Sequence, residues 1–460
     1  MKSHDPLLGA WAETLARKRD APAIFNTAGQ VLRTFCGIEE HARAVEAKMP
    51  RVKPHSVNAI QIGNDVDWPS LFLACLRTQR VVLPIDESAG KQQAEAAVMV
   101  AANSVIADWG DRPPTLFKLT SGTTAAPRLV RFRSEQLLAD CNQICDTMGI
   151  TDLDLNFGVI PISHSYGFSN LVAPLIVCGI PMVLSRDRIP RAVLADLARS
   201  RATVFPGMPP FYQAFCQMEN VPGLPKLRLC ISAGAPLPVN IARKFQEKFQ
   251  LLIHSFYGAS ECGGICYDRA AANETEGFVG EPMKGVDVEI IDSARGVSQI
   301  RVRSAAVGDG YFPEPDNEKL GNGIFVPDDL LARANSGFKI VGRVSDAINV
   351  AGKKVNPAEV EAQLLRFGGV RQAVVFGRPA AAGALRNEEV TACVVADGDL
   401  REKELQEFCR NGLSAWQVPK RIFFVNAIPV NERGKISRRE LARRFAAEGG
   451  RDRLQVDLDA

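Results

Sequence analysis

Apolar residues recur along this chain in two alternating rhythms, one with the period of a helix and one with the period or short continuous run of a strand. Leu8, Trp11 and Leu15 fall at helical spacing, 23–25 and 31–35 read as strands about a Thr-Ala-Gly turn, and 38–49 returns to the helical period. A strand at 57–62, a helix at 68–78 and a strand at 81–85 follow. From Arg133 onward the alternation continues, with helices predicted at 135–147, 168–178, 193–200 and 239–249. Strands interleave at 156–160, 182–184, 203–205, 227–231 and 252–256. Such alternation predicts an α/β fold of layered, largely parallel sheets with helices on their faces.

The rhythm changes after Phe278. Short strands separated by Gly, Pro and Asp turns run to Val341 and predict a small antiparallel, barrel-like subdomain. Beyond Gly342-Arg343 a compact stretch has its own strand and helix pattern, including a helix at 357–367 and a strand at 370–377. The expected organisation is a large N-terminal domain over 1–343, a small mobile α+β C-terminal lid domain over 344–445 and a polar tail over 446–460. There is no internal repeat and no low-complexity segment.

Composition narrows the class without choosing a function. At 460 residues the chain exceeds one ordinary core, and a formal net charge of +3 gives no reason to invoke nucleic acid. The eleven cysteines are scattered, and Cys262 and Cys266 lack metal-ligand spacing, so reduced thiols buried mostly in core are expected. The N-terminus carries no apolar leader, and the longest apolar run, 171–184, is broken by Pro174 and Pro181. No membrane span is expected, and the cytoplasm is the expected compartment.

Candidate chemistry begins between two strands. The run 115–119 leads into Thr120, Ser121, Gly122, Thr123 and Thr124, and a second strand, 129–132, follows Pro127 and Arg128. Small hydroxylated residues held between strands let the backbone approach an anion, with N–H groups and hydroxyls as donors, and a polyphosphate is the natural ligand. An exposed polar turn is the competing reading. No Gly-Lys-Ser/Thr closes the loop, so it is not a Walker loop.

The order Leu-Thr-Ser-Gly-Thr-Thr-x-x-Pro-Arg over 119–128 resembles the phosphate loop of the adenylate-forming enzymes, the superfamily of acyl-CoA synthetases, aryl and fatty acid ligases, luciferases and peptide-synthetase adenylation domains. Arg128 stands where the family usually has Lys, and Ala125 where it usually has Gly. Five further segments follow in the family's order. Pro161-Ile-Ser-His164-Ser-Tyr166-Gly167 resembles the segment whose His lines the acyl channel, and Tyr166 and Ser169 would border that pocket. Ser255-Phe-Tyr257-Gly258-Ala-Ser260-Glu261 resembles the adenine and metal segment. There the resemblance implies Tyr257 stacked on adenine, Ser260 at the α-phosphate and Glu261 on Mg²⁺, with Gly234, Ala235 and Pro236 edging the purine.

Asp329, preceded by Asp328 where a Gly is usual, would hold the ribose, with Arg343 near it. Ser345 takes the hinge position, and the loop about Gly352 would approach the pantetheine arm of an acceptor. Gly434-Lys435-Ile436 resembles the closing motif, whose Lys reaches the carboxylate and α-phosphate. The resemblance covers about residues 20–445, with only about thirty residues between Asp86 and the phosphate loop, a shorter stretch than the family usually carries.

The resemblance implies ATP- and Mg²⁺-dependent activation of a small-molecule carboxylic acid, aryl or fatty acid favoured, followed by transfer to CoA or to carrier-protein phosphopantetheine. Two rivals share the motifs: a stand-alone adenylation domain that loads only an acyl carrier protein, and a degenerate nucleotide-binding protein without ligase activity.

Overall fold

Short continuous apolar runs are what a strand covered on both faces requires. Val204–Gly207 and Leu229–Ser232 are buried at every position, and Met182–Leu184 and Asn156–Gly158 likewise. In the computed structural model, which describes residues 5–102, 109, 112–120, 128–294, 297–350, 353–379, 388–398, 400–429 and 438–446, these runs lie side by side. The chain divides into two compact units. The first comprises 1–293, 300–327 and 333–339, and the second 294–299, 328–332 and 340–460.

In the first unit one sheet runs in the order Phe278–Pro282, Gly263–Tyr267, Ile253–Ala259, Leu229–Ser232, Val204–Gly207, Asn156–Gly158, Met182–Leu184, Pro22–Phe25 and Val31–Thr34. Its middle, from Ile253–Ala259 to Pro22–Phe25, is parallel, and the strands at either end of that run pair antiparallel. A second sheet orders Gly310–Phe312, Leu129–Phe132, Leu116–Leu119, Val81–Pro84 and Val57–Ile60. The expected antiparallel piece is present as short ladders such as Val302 opposite Phe325 and Leu320 opposite Phe325.

Helices cover the sheets by their apolar faces. Val239–Phe249 buries Ile241, Ala242 and Phe245, which join Phe157, Phe205, Tyr212 and Phe215 in one core. The Tyr212 hydroxyl inside that core donates to the Ile231 carbonyl at 2.8 Å, so its polar end is satisfied. Ser134–Met148 ends at Gly149, whose φ of 62° makes the left-handed cap that stops a helix. The helix expected over 168–178 instead appears as Ser165–Gly167, a π-helical turn Phe168–Val172, and Ala173–Val177. Pro174 has no N–H for the carbonyl four residues earlier, and that carbonyl, on Asn170, accepts from Asn156 Nδ2 at 2.9 Å. In the short stretch after Asp86 the chain forms the helix Lys91–Ala102.

The second unit has a three-stranded sheet in which Val370–Pro379 pairs antiparallel with Glu388–Ala396, which pairs parallel with Arg421–Phe424. Helices Pro357–Leu364 and Glu402–Gly412 bury Val360, Leu364, Leu405 and Cys409 against Val375, Ala392 and Val394. Among the described residues no helix is long and apolar enough to cross a membrane.

Candidate active site

Three parallel strands of the first unit deliver their C-terminal ends to one edge, the usual place for ligands in an open α/β sheet. Ser232 is level with Gly207 on one side and Ser255 on the other, so the loop after Ser232 and the run from Tyr257 leave the sheet together. That loop carries Gly234, Ala235 and Pro236, all exposed, and Gly234 has a φ of +86°, a conformation side chains resist. Tyr257 is buried and Gly258 exposed. A Cβ on Gly258 would stand 2.6 Å from the Gly263 carbonyl, so the tight return to Gly263–Tyr267 requires glycine there. The turn between these strands holds Ser260 and Glu261, both half-buried.

The hairpin predicted around the phosphate loop forms as read. Leu116–Leu119 pairs antiparallel with Leu129–Phe132, and Thr120 closes it by donating N–H to the Arg128 carbonyl at 3.0 Å and its hydroxyl to the same oxygen at 3.3 Å. Ser121, Gly122, Thr123, Thr124 and Ala125 lie outside the described residues.

Gly310–Phe312 pairs beside Leu129–Phe132, with Tyr311 opposite Val130. This brings in a residue the sequence reading missed. The Arg128 guanidinium lies 3.9 Å from the Tyr311 ring centroid, and the Tyr311 hydroxyl donates to Glu261 Oε1 at 3.1 Å. Burial, and then the Glu261 charge, push the Tyr311 hydroxyl pKa well up, so it remains a donor. One aromatic ring therefore ties the cation that closes the loop to the candidate metal carboxylate.

Lys118 and Asp140 were also missed. Lys118 is buried in the hairpin strand, 4.3 Å from the Phe132 centroid, and among the described residues its Nζ has no hydrogen-bond partner. Burial lowers its pKa, opposed by the charges of Asp140, Cys262 and Glu261. Asp140 accepts from the Gly264 N–H at 3.1 Å and from the Ser169 hydroxyl at 2.5 Å, pinning the strand that follows the Glu261 turn. Ser169 is thus buried with its hydroxyl committed to Asp140. A lysine in an apolar strand reads as an outward charge, and only the tertiary fold shows it inside.

His164 precedes Ser165–Gly167, and its N–H bonds the Pro161 carbonyl at 3.1 Å. Gly167 explains the spacing of this motif, because a Cβ there would stand 2.0 Å from the Pro161 carbonyl oxygen. His164 Nε2 lies 3.0 Å from Asp86 Oδ2, just past Val81–Pro84. That hydrogen bond, with others from Ser88, holds the Asp86 carboxyl well below the usual carboxylate range. Asp86 therefore orients the ring. Tyr166 donates to the Gly207 carbonyl at 3.2 Å, and its ring centroid lies 5.9 Å from that of Phe256.

The second unit holds the remaining candidates. Asp329 opens the strand Asp329–Ala334 and accepts from Arg343 Nε at 2.7 Å, while the Val344 N–H bonds the Asp328 carbonyl at 2.7 Å. Ser345 sits in the single 3-10 turn Val344–Asp346. Gly352 and Lys435 lie outside the described residues. Just past the latter, Arg438 bridges Asp346 at 2.7 Å, Glu361 at 2.8 and 3.0 Å, and the Val375 carbonyl at 2.9 Å. It is a structural clamp, not part of a solvated basic face.

A magnesium ion is the implied metal. Among the described residues no carboxylate cluster of three or more ligand groups accompanies Glu261. One half-exposed carboxylate fits an octahedral ion whose shell is completed by phosphate oxygens and water better than it fits an all-protein cage.

Models of the AMP-binding enzyme match residues 112–312 and those of the AMP-binding enzyme C-terminal domain match 359–435, together more than half of the chain. The chain belongs to the AMP-binding, adenylate-forming enzyme family. Its curated relatives include a probable CoA ligase of Humulus lupulus, 28% identical over 73% of this chain and 66% of the relative. A feruloyl-CoA synthase of Amycolatopsis is 29% identical over 72% of this chain and 70% of the relative. A 3,4-dihydroxybenzoate–[aryl-carrier protein] ligase of Bacillus anthracis is 26% identical over 71% and 73%. The chain thus spans about two thirds of the length of the curated relatives it matches.

The ATP-bound MatB structure from Rhodopseudomonas palustris superposes with a TM-score of 0.81 at 23% identity, covering 95% of this chain and 99% of that one. A Bacillus subtilis o-succinylbenzoate CoA synthetase structure gives 0.79 at 19% identity, covering 97% and 99%. These likenesses establish the AMP-binding enzyme fold, large α/β unit and small C-terminal unit included.

Proposed function

We propose that this AMP-binding enzyme activates a carboxylic acid with ATP, forming acyl-AMP and pyrophosphate, and then passes the acyl group to a thiol with release of AMP. The observation that carries this reading is the Arg128–Tyr311–Glu261 connection. Such a reaction depends on positioning and on neutralising phosphate charge more than on covalent help from the protein. Thr120, Ser121, Gly122, Thr123, Thr124 and Arg128 take the β- and γ-phosphates. Glu261 holds Mg²⁺, which when bound neutralises and orients the phosphate oxygens, and Ser260 meets the α-phosphate. Tyr257, Gly258 and Gly234–Pro236 hold adenine, and Asp329 and Arg343 the ribose.

His164, oriented by Asp86, faces the acid with Tyr166. Lys435 stabilises charge at the α-phosphate in the first step. The lid over 344–445 turns about Ser345 for the second step, bringing the loop at Gly352 to the thiol.

An aryl acid is the favoured substrate. Feruloyl and dihydroxybenzoate ligases stand among the relatives, and an apolar wall including Tyr166 and Phe256 suits a ring. CoA is the favoured acceptor. A holo carrier protein is the second reading, because one relative is named for an aryl-carrier protein. The purified protein, given ATP, Mg²⁺ and an aryl acid panel, is offered CoA and holo carrier protein in competition. AMP-coupled thioester on CoA is expected. Thioester on the carrier alone replaces the acceptor, and ATP binding without turnover of any acid overturns the proposal. A cytoplasmic setting, rich in ATP and CoA, is part of the same proposal.

A further inference from the structure

Three thiols converge where the proposed chemistry has no use for them. Cys141 and Cys145 stand four residues apart on Ser134–Met148, so their side chains lie one above the other on a single face. Cys178, the residue that caps Ala173–Val177, meets them there. The three sulfur atoms lie within 4.8 Å of one another, and Cys145 Sγ is 4.0 Å from Cys178 Sγ. Asp140, on the same helix, is occupied with Ser169 and Gly264.

We propose that Cys141, Cys145 and Cys178 form a three-thiolate site for a soft monovalent metal ion, Cu(I). A point equidistant from sulfurs at these separations stands roughly 2.3 to 2.8 Å from each, against metal–thiolate bonds of ~2.3 Å, so the site closes with sub-ångström side-chain movement. Among the described residues no His, Asp, Glu or further Cys supplies a fourth ligand atom to the group. A trigonal all-sulfur set suits soft Cu(I), whereas Zn²⁺ takes four ligands in a closed site.

Access is built in. Cys141 and Cys145 are buried, but Cys178 is only partly so and lines an open surface cleft of about 600 Å³ together with Glu13, Arg17 and Asp152. The ion would meet Cys178 first and then the two sulfurs behind it. Coordination forms three S–Cu bonds without change of oxidation state, and the thiol protons leave to solvent, so uptake is accompanied by proton release.

The test is anaerobic titration of the reduced full chain with Cu(I) against a chromophoric Cu(I) chelator. Binding of one ion per chain is expected, with sulfur-to-copper charge-transfer absorbance in the near ultraviolet. Cys178→Ser and Cys145→Ser should each weaken it by about tenfold or more. Because Cys145 is buried, the folded state of each variant is checked by circular dichroism, and the half-buried Cys178→Ser carries the result if Cys145→Ser unfolds. Failure to compete with the chelator, or binding indifferent to Cys178→Ser in a folded variant, overturns the site. Zn²⁺ bound as tightly as Cu(I) by the same three residues overturns the choice of ion.

Discussion

Two arginines close two segments of this enzyme, and they are held in opposite ways. Arg128 ends the candidate phosphate-loop motif of 119–128 in the first unit. Its guanidinium lies over Tyr311 and, among the described residues, makes one long ion pair, 3.9 Å, with Asp316. Arg438 follows the Gly434-Lys435-Ile436 motif in the sequence of the second unit, with two carboxylates and a carbonyl bound between 2.7 and 3.0 Å. A stacked guanidinium with a loose partner keeps its donors for a ligand, whereas a bridged one has spent them on structure. The same residue type is thus stacked and loosely paired in one unit and bridged in the other, and the proposed function assigns the first to binding and the second to folding.

The largest expected effect concerns the motif that Arg438 anchors. Lys435→Ala should lower acid-dependent pyrophosphate exchange by about 3 kcal/mol, a few hundredfold, while thioester formation from supplied acyl-adenylate survives. Equal loss of both half-reactions removes the assignment of Lys435 to the first step.

Arg438→Ala should cost about 2 kcal/mol of stability in urea unfolding, because Asp346 and Glu361 lose the charge they share. Arg128→Ala should lower exchange by about 2 kcal/mol, roughly thirtyfold, while shifting stability by no more than about 0.5 kcal/mol. If the two substitutions destabilise the protein equally, the contrast between a committed and an available arginine is wrong.

The smallest effect sharpens the electrostatics beneath Arg128. Lys118→Met replaces a buried, unpaired ammonium by an apolar chain of similar length and should stabilise the protein by about 1 kcal/mol at neutral pH. The folded-state pKa of Lys118 is depressed by burial. Between that value and the unfolded value of ~10.4, the unfolded chain binds more protons, so wild-type stability gains with rising pH. The advantage of Lys118→Met should therefore shrink as thermal unfolding is followed toward pH 10. A constant difference across that range means the ammonium is solvated in the folded protein.

The layered α/β architecture was legible because alternating apolar runs specify it, and the hairpin about Thr120 and Arg128 because turn chemistry is local. The segments carrying the candidates His164 and Glu261 stand out in the sequence because their glycines, Gly167 and Gly258, are forced by backbone contacts a few residues away. Tyr311, Asp140 and Asp86 could not. Tyr311 lies far along the chain from Arg128, and its place beside the hairpin depends on an antiparallel pairing that no periodicity announces. Asp140 looks like one more polar position on an amphipathic helix, and Asp86 like the end of a strand. The helix expected over 168–178 is present with a π-helical turn at Phe168–Val172, and the carbonyl that Pro174 leaves without its N–H is taken up by Asn156, a tertiary partner.

The most direct measurement is ATP–pyrophosphate exchange by the wild-type protein and by Glu261→Gln across aryl, fatty and amino acids. Exchange dependent on an aryl or fatty acid, lost by about a hundredfold or more in Glu261→Gln, is predicted. Nucleotide binding with no exchange for any acid, or exchange indifferent to Glu261→Gln, would contradict an adenylating centre built on the Arg128–Tyr311–Glu261 connection.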